Sequence, residues 1–190
     1  GKSVFLRILS GLILPDQGEV CVFGKLIGKD TEFAPSTGIL IDNPGFLLAI
    51  SGRRNLQLLA SVSGKATESR ILEVIRLVGL DPNDKRPVST YSTGMRQRLG
   101  LAQAIMEDPE LLILDEPTNG LDFDGQREIY SYLVDLRSQG KTILITSHNL
   151  DELKILCDRV FTITSGKLTP FTHPAMMEEA SEDDIPGNIK

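Results

Sequence analysis

Two textures of apolar residues alternate along the second half of this chain. Wholly apolar runs at 111–114 (LLIL) and 142–146 (TILIT) read as strands covered on both faces. Between and after them, 124–138 and 150–156 space their apolar residues at three and four, as amphipathic helices do. A further run at 159–164 reads as a strand, and Gly166-Lys167 as a turn into a last short one. Strand–helix–strand repetition predicts a parallel sheet with right-handed crossovers.

Upstream, residues 4–9 start a helix and 18–23 (GEVCVF) read as a strand after the turn Pro15-Asp16-Gln17-Gly18. Residues 38–41 (GILI) form another short strand. The texture then changes, with helical spacing at 52–61, 68–78 and 93–106. The predicted fold is α/β, a parallel sheet flanked by helices plus an α-helical subdomain. Its expected divisions are 1–42 and 109–170 as two parts of one core, 43–108 as the helical subdomain, and 171–190 as an acidic flexible tail with little to bury.

Composition narrows the picture. The chain has 190 residues, enough to bury a real core, and a net charge of −6, which argues against nucleic acid as the main partner. Cys21 and Cys157 are far apart and belong to no metal-binding pattern, so they are expected to be reduced core thiols of a cytosolic protein. No signal peptide is seen, and no apolar run approaches the roughly 18 residues that span a bilayer. Any membrane role is expected to run through a partner.

Chemistry concentrates in two strings. In LLILDEPTNGLD a buried strand ends in the adjacent carboxylates Asp115 and Glu116. Strand C-termini face the ligand crevice in α/β sheets. Two acids there repel each other and resist burial, so folding alone does not select them. Asp115 suits Mg²⁺, and Glu116 is placed to act on a water as a general base. Taken as two residues, "DE" equally suits a solvated acidic loop. In YSTGMRQR, Ser92 and Gly94 stand just before a helix, where backbone N–H groups and the positive helix end make an anion site. Alone, that string is also an ordinary capped helix.

Taken whole, YSTGMRQRLGLAQAIMEDPELLILDEPTNGLD resembles the signature-to-D-loop block of the ATP-binding cassette (ABC) ATPases. The likeness runs in order and spacing from Gly1 to about Leu168. It implies a P-loop NTPase core, with ATP and Mg²⁺ as cofactors. Gly1, Lys2 and Ser3 resemble the end of the Walker A loop, with Lys2 reaching the phosphates and Ser3 ligating Mg²⁺. Asp115 is similar to the Walker B aspartate and Glu116 to the catalytic glutamate. Ser92 and Gly94 match signature positions, which in this family contact nucleotide on a second cassette. Asp122 looks like the D-loop aspartate. His148, closing TILITSH, looks like the switch histidine; by itself it would be a lone exposed His after a strand.

The string departs from the common signature LSGGQ at Thr93 and Met95. YSxGM resembles the form in bacterial exporters and bacitracin- or lantibiotic-resistance cassettes. Asp42 falls where the Q-loop glutamine is usual. It is a candidate for nucleotide and Mg²⁺ contact through water, and equally a turn former before Pro44. Phe46, Leu47, Leu48 and Ile50 form an apolar cluster where family members dock their membrane subunit, and they could also serve the helical subdomain's core.

The resemblance implies an ATP-hydrolysing subunit that powers export of a peptide, antibiotic or lipid. Its expected partners are a separate transmembrane permease and a second cassette, forming a homodimer. Its expected place is the cytoplasmic face of the membrane. A soluble ABC ATPase of translation or DNA repair, and an inactive fragment or regulatory cassette, are the alternatives. The glycines of the phosphate loop and the strand that feeds it do not precede Gly1. The chain is therefore expected to be truncated within Walker A, to lack the N-terminal strands, to be weak or inactive by itself, and to hold Lys2 and Ser3 loosely at a free end.

Overall fold

The computed structural model describes residues 1–42 and 44–171. Apart from Phe171, the expected acidic tail lies outside the described residues. Six α-helices and seven strands are described: α1 (Lys2–Ser10), β1 (Cys21–Val22), β2 (Lys25–Leu26), β3 (Thr37–Leu40), α2 (Gly52–Ser63), α3 (Glu68–Leu77), α4 (Thr93–Ile105), β4 (Leu111–Asp115), α5 (Phe123–Ser138), β5 (Thr142–Thr146), α6 (Leu150–Leu156), β6 (Phe161–Thr164) and β7 (Lys167–Pro170).

The central sheet has the order β3-β4-β5, all parallel. Its middle strand is the apolar run LLIL, and Leu112, Ile113 and Leu114 are fully buried because helices cover both faces. Leu6 of α1, Leu99, Leu101 and Ile105 of α4, and Ile129 and Leu133 of α5 are buried as well. The approach of α4 to β3 is close. A Cβ placed on Gly38 would lie 1.9 Å from the carbonyl oxygen of Ala104, so glycine is required there. Helices α2 and α3 bury Leu56, Ala60, Ile71, Val74 and Ile75 against the same core.

Polar residues start the helices where the sequence offers them. Ser51, Thr67, Ser92, Asp122 and Asn149 cap α2 to α6, each accepting a backbone N–H with its side chain. These caps fix the first turns of the helices that carry or adjoin the site.

Two expectations are corrected. The run at 159–164 does not extend the parallel sheet: β6 pairs antiparallel with β7. Ser165 and Gly166 both have positive φ, 50° and 76°, and form a two-residue hairpin turn that folds the chain straight back. Cys21 is exposed rather than in the core, because β1 is two residues long and, among the described residues, pairs with β2 alone. Cys157 is half-buried, and burial pushes its thiol up to about 11. Beside β5, opposite β4, lies an apolar groove of about 550 Å³ bounded by Phe5, Leu6, Ile143, Ile145, Val160 and Ile163.

Candidate functional site

The cleft at the C-terminal end of the sheet is assembled from separated segments of the chain. Asp115 ends β4 and pairs in register with Thr146, which ends β5. Thr146 Oγ1 donates to Asp115 Oδ1. Ser3 Oγ, in the first turn of α1, donates to Asp115 Oδ2 at 2.6 Å. Lys2 reaches past it, with Nζ 3.4 Å from Glu116 Oε1. His148 lies two residues beyond the end of β5, and its Nε2 is 2.7 Å from the same Glu116 oxygen and 3.2 Å from Lys2 Nζ.

Glu116 itself has a left-handed backbone, φ 48°. Its N–H donates to Thr146 O at 3.1 Å and Thr146 Oγ1 at 3.2 Å. Its carbonyl accepts from Asn119 N–H at 3.1 Å and from Gln97 Nε2 at 3.0 Å. The peptide is held from both sides, as strained residues at working sites are.

The cleft has a volume of about 580 Å³. It is lined by Gly1, Lys2, Ser3, Asp42, Asp115, Glu116 and His148, with Val4, Thr93, Gln97 and Asn119. Lys2 and Ser3 are therefore not loose: they form the first turn of α1 and have partners across the cleft. The N–H groups of that turn lack partners within the helix and add to the positive end facing the carboxylates. Ser3 Oγ and the Asp115 carboxylate are adjacent hard oxygens, which fits Mg²⁺, an ion that takes few protein ligands beside phosphate and water. Among the described residues no group of three or more His, Cys, Asp or Glu is arranged to hold a metal.

Asp42 lines the cleft, and its carboxylate is paired with Arg7 of α1. Ser92, Gly94 and Asp122 are not among the lining residues. Ser92 Oγ accepts from Met95 N–H at 3.1 Å as the cap of α4, and Asp122 Oδ1 accepts from Gly125 N–H at 3.2 Å as the cap of α5. A Cβ on Gly94 would lie 2.8 Å from Gly120 O, so the start of α4 rests on the turn that follows Glu116. Asp122 is exposed, with Arg98 Nη2 3.9 Å away.

Sequence reasoning missed Thr146, Gln97, Asn119 and Glu152. Glu152 is 3% exposed and accepts from Thr118 Oγ1 at 2.9 Å and from Ser147 Oγ, tying α6 to the segments on either side of the cleft. The signal for Gln97 was its place one turn beyond Thr93 on the same helix face. That for Thr146 was its position at the end of a strand next to β4.

Residues 1–119 match the sequence profile of the ABC transporter family. The chain belongs to that family. It is 43% identical over 170 residues to the uncharacterized ABC transporter ATP-binding protein YhcH of Bacillus subtilis (strain 168), covering 88% of this chain and 56% of that protein. It is 41% identical over 178 residues to the bacitracin transport ATP-binding protein BcrA of Bacillus licheniformis, covering 91% of this chain and 58% of that protein. The lantibiotic transport ATP-binding protein SrtF of Streptococcus pyogenes is 38% identical over 168 residues, or 88% of this chain and 72% of that protein. The chain thus spans little more than half the length of several curated relatives. Its fold is that of an ATP-binding cassette: the dimeric structure of a cassette in a post-hydrolysis state bound to ADP and Pi superposes with a TM-score of 0.77 at 19% identity, covering 88% of this chain and 78% of that one.

Proposed function

We propose that this ABC transporter family member is the ATP-binding and ATP-hydrolysing subunit of a transporter that exports a peptide, antibiotic or lipid through a separate membrane permease. One observation carries the reading: Lys2, Ser3, Asp115, Glu116 and His148, scattered over the sequence, line one polar cleft. Lys2 and the first turn of α1 take the β- and γ-phosphates of ATP. Ser3 and Asp115 would hold Mg²⁺, which would supply positive charge to neutralise the phosphates. Glu116 Oε1 accepts the proton of the attacking water, and His148 Nε2 orients that water and the γ-phosphate. Asp42 contacts this site through water when Arg7 releases it.

Ser92, Gly94 and Asp122 serve a second copy of the cassette, a role supported by their position outside this copy's cleft. The division of the chain into a core of 1–42 and 109–170 and a helical subdomain of 43–108 belongs to the same reading. The permease would meet the loop before α2, where Leu47 and Leu48 are each 57% exposed. The same contact would hold the cassette at the cytoplasmic face. Among the described residues no helix is long and apolar enough to cross a membrane.

The test is Glu116→Gln in the full-length protein. ATP binding should survive and turnover should be abolished; full turnover in that variant sinks the assignment. Co-purification with a multi-span membrane protein tests the transport half of the reading.

A further inference from the structure

Glu116 is held at φ 48°, in the left-handed region that a non-glycine residue seldom adopts. Three of the contacts on its peptide are local to the sheet end and the turn: Thr146 O, Thr146 Oγ1 and Asn119 N–H. The fourth comes from another element. Gln97 Nε2, on α4, donates to the Glu116 carbonyl at 3.0 Å.

We propose that Gln97 is a positioning residue for Glu116. Its amide fixes the carbonyl of the left-handed peptide and so aims the carboxylate into the cleft. This rests on the reading of Glu116 as the base. An amide suits the task because its nitrogen donates to a carbonyl without adding charge beside a carboxylate. Without that donor the carbonyl keeps only Asn119, and the peptide is freer to relax out of the left-handed region. The same helix touches the turn a second time where Gly94 packs on Gly120. A displacement at the start of α4 is thereby passed to Glu116.

The experiment is single-turnover ATP hydrolysis by the full-length protein, with ATP affinity and thermal unfolding followed in parallel. Gln97→Met keeps the volume and removes the donor; Gln97→Leu removes the donor with a shorter side chain, and neither adds charge to the cleft. Both should slow hydrolysis by about ten- to a hundredfold while ATP affinity stays within about twofold. Unchanged hydrolysis in both Gln97 variants, with Glu116→Gln inactive, overturns the positioning role and leaves the hydrolytic reading standing. Loss of ATP affinity in proportion to rate also overturns it, because Gln97 would then be a ligand contact. A fully active Glu116→Gln removes the hydrolytic reading itself.

Discussion

His148 Nε2 and Glu116 Oε1 lie 2.7 Å apart, although the first stands on an exposed loop and the second on a peptide held by the sheet. At that distance one group orients the other. His148→Ala should therefore reduce turnover by about a hundredfold or more while leaving ATP affinity nearly intact. Steady-state kinetics beside equilibrium nucleotide binding separates the two effects.

Gly38→Ala should be severely destabilising. The added methyl group would meet the Ala104 carbonyl oxygen at 1.9 Å, a backbone atom that can move away only if α4 shifts off the strand, and a Leu112 methyl at 2.9 Å. A loss of about 3 kcal/mol is expected. The urea midpoint measures it, and a midpoint equal to that of the unaltered protein contradicts the packing described.

The two cysteines should differ in reactivity. Burial raises the Cys157 thiol to about 11, so at pH 8 about one molecule in a thousand carries the thiolate that alkylating reagents attack. Cys21 is exposed on its hairpin. Timed alkylation followed by peptide mass spectrometry should show Cys21 modified first, with Cys157 reacting fast only after denaturation.

The link between α2 and α3 should be acid-sensitive. Hydrogen bonds from Gln57 and then Arg53 hold the Glu68 carboxyl below its ordinary 4.5. A depressed folded value stabilises the protein above the unfolded one, and that contribution fades as pH falls through the folded value. The pair is largely exposed, so Glu68→Gln should cost only about 0.5 kcal/mol at pH 7. Denaturant curves of the two proteins should converge as the pH drops below the range in which Glu68 ionises.

Most elements were legible because local chemistry and burial agreed. The strand at 111–114 is covered on both faces and reads as an unbroken apolar run; α6 begins where Asn149 offers a cap and ends at 156 as its spacing indicates. The pairing of 159–164 was not legible from apolarity, since a strand beside β5 and a strand in a hairpin look alike until the backbone of Ser165 and Gly166 is known. Cys21 misled because residue type was taken as a sign of burial, whereas it stands exposed on a two-stranded hairpin. The motif residues were visible as strings, but the partners that hold them were not. Gln97 and Thr146 act through distances between elements that are far apart in sequence.

The bonds that close the cleft also set a timetable. Ser3 meets Asp115 across 112 residues, and Lys2 meets Glu116 across 114. At ordinary rates of synthesis α1 waits roughly 6–20 s on the ribosome before the strand it packs against has been made. Throughout that interval its apolar side, including Leu6, has no finished sheet to cover it. Nascent chains paused between the two segments should be the ones most in need of chaperones.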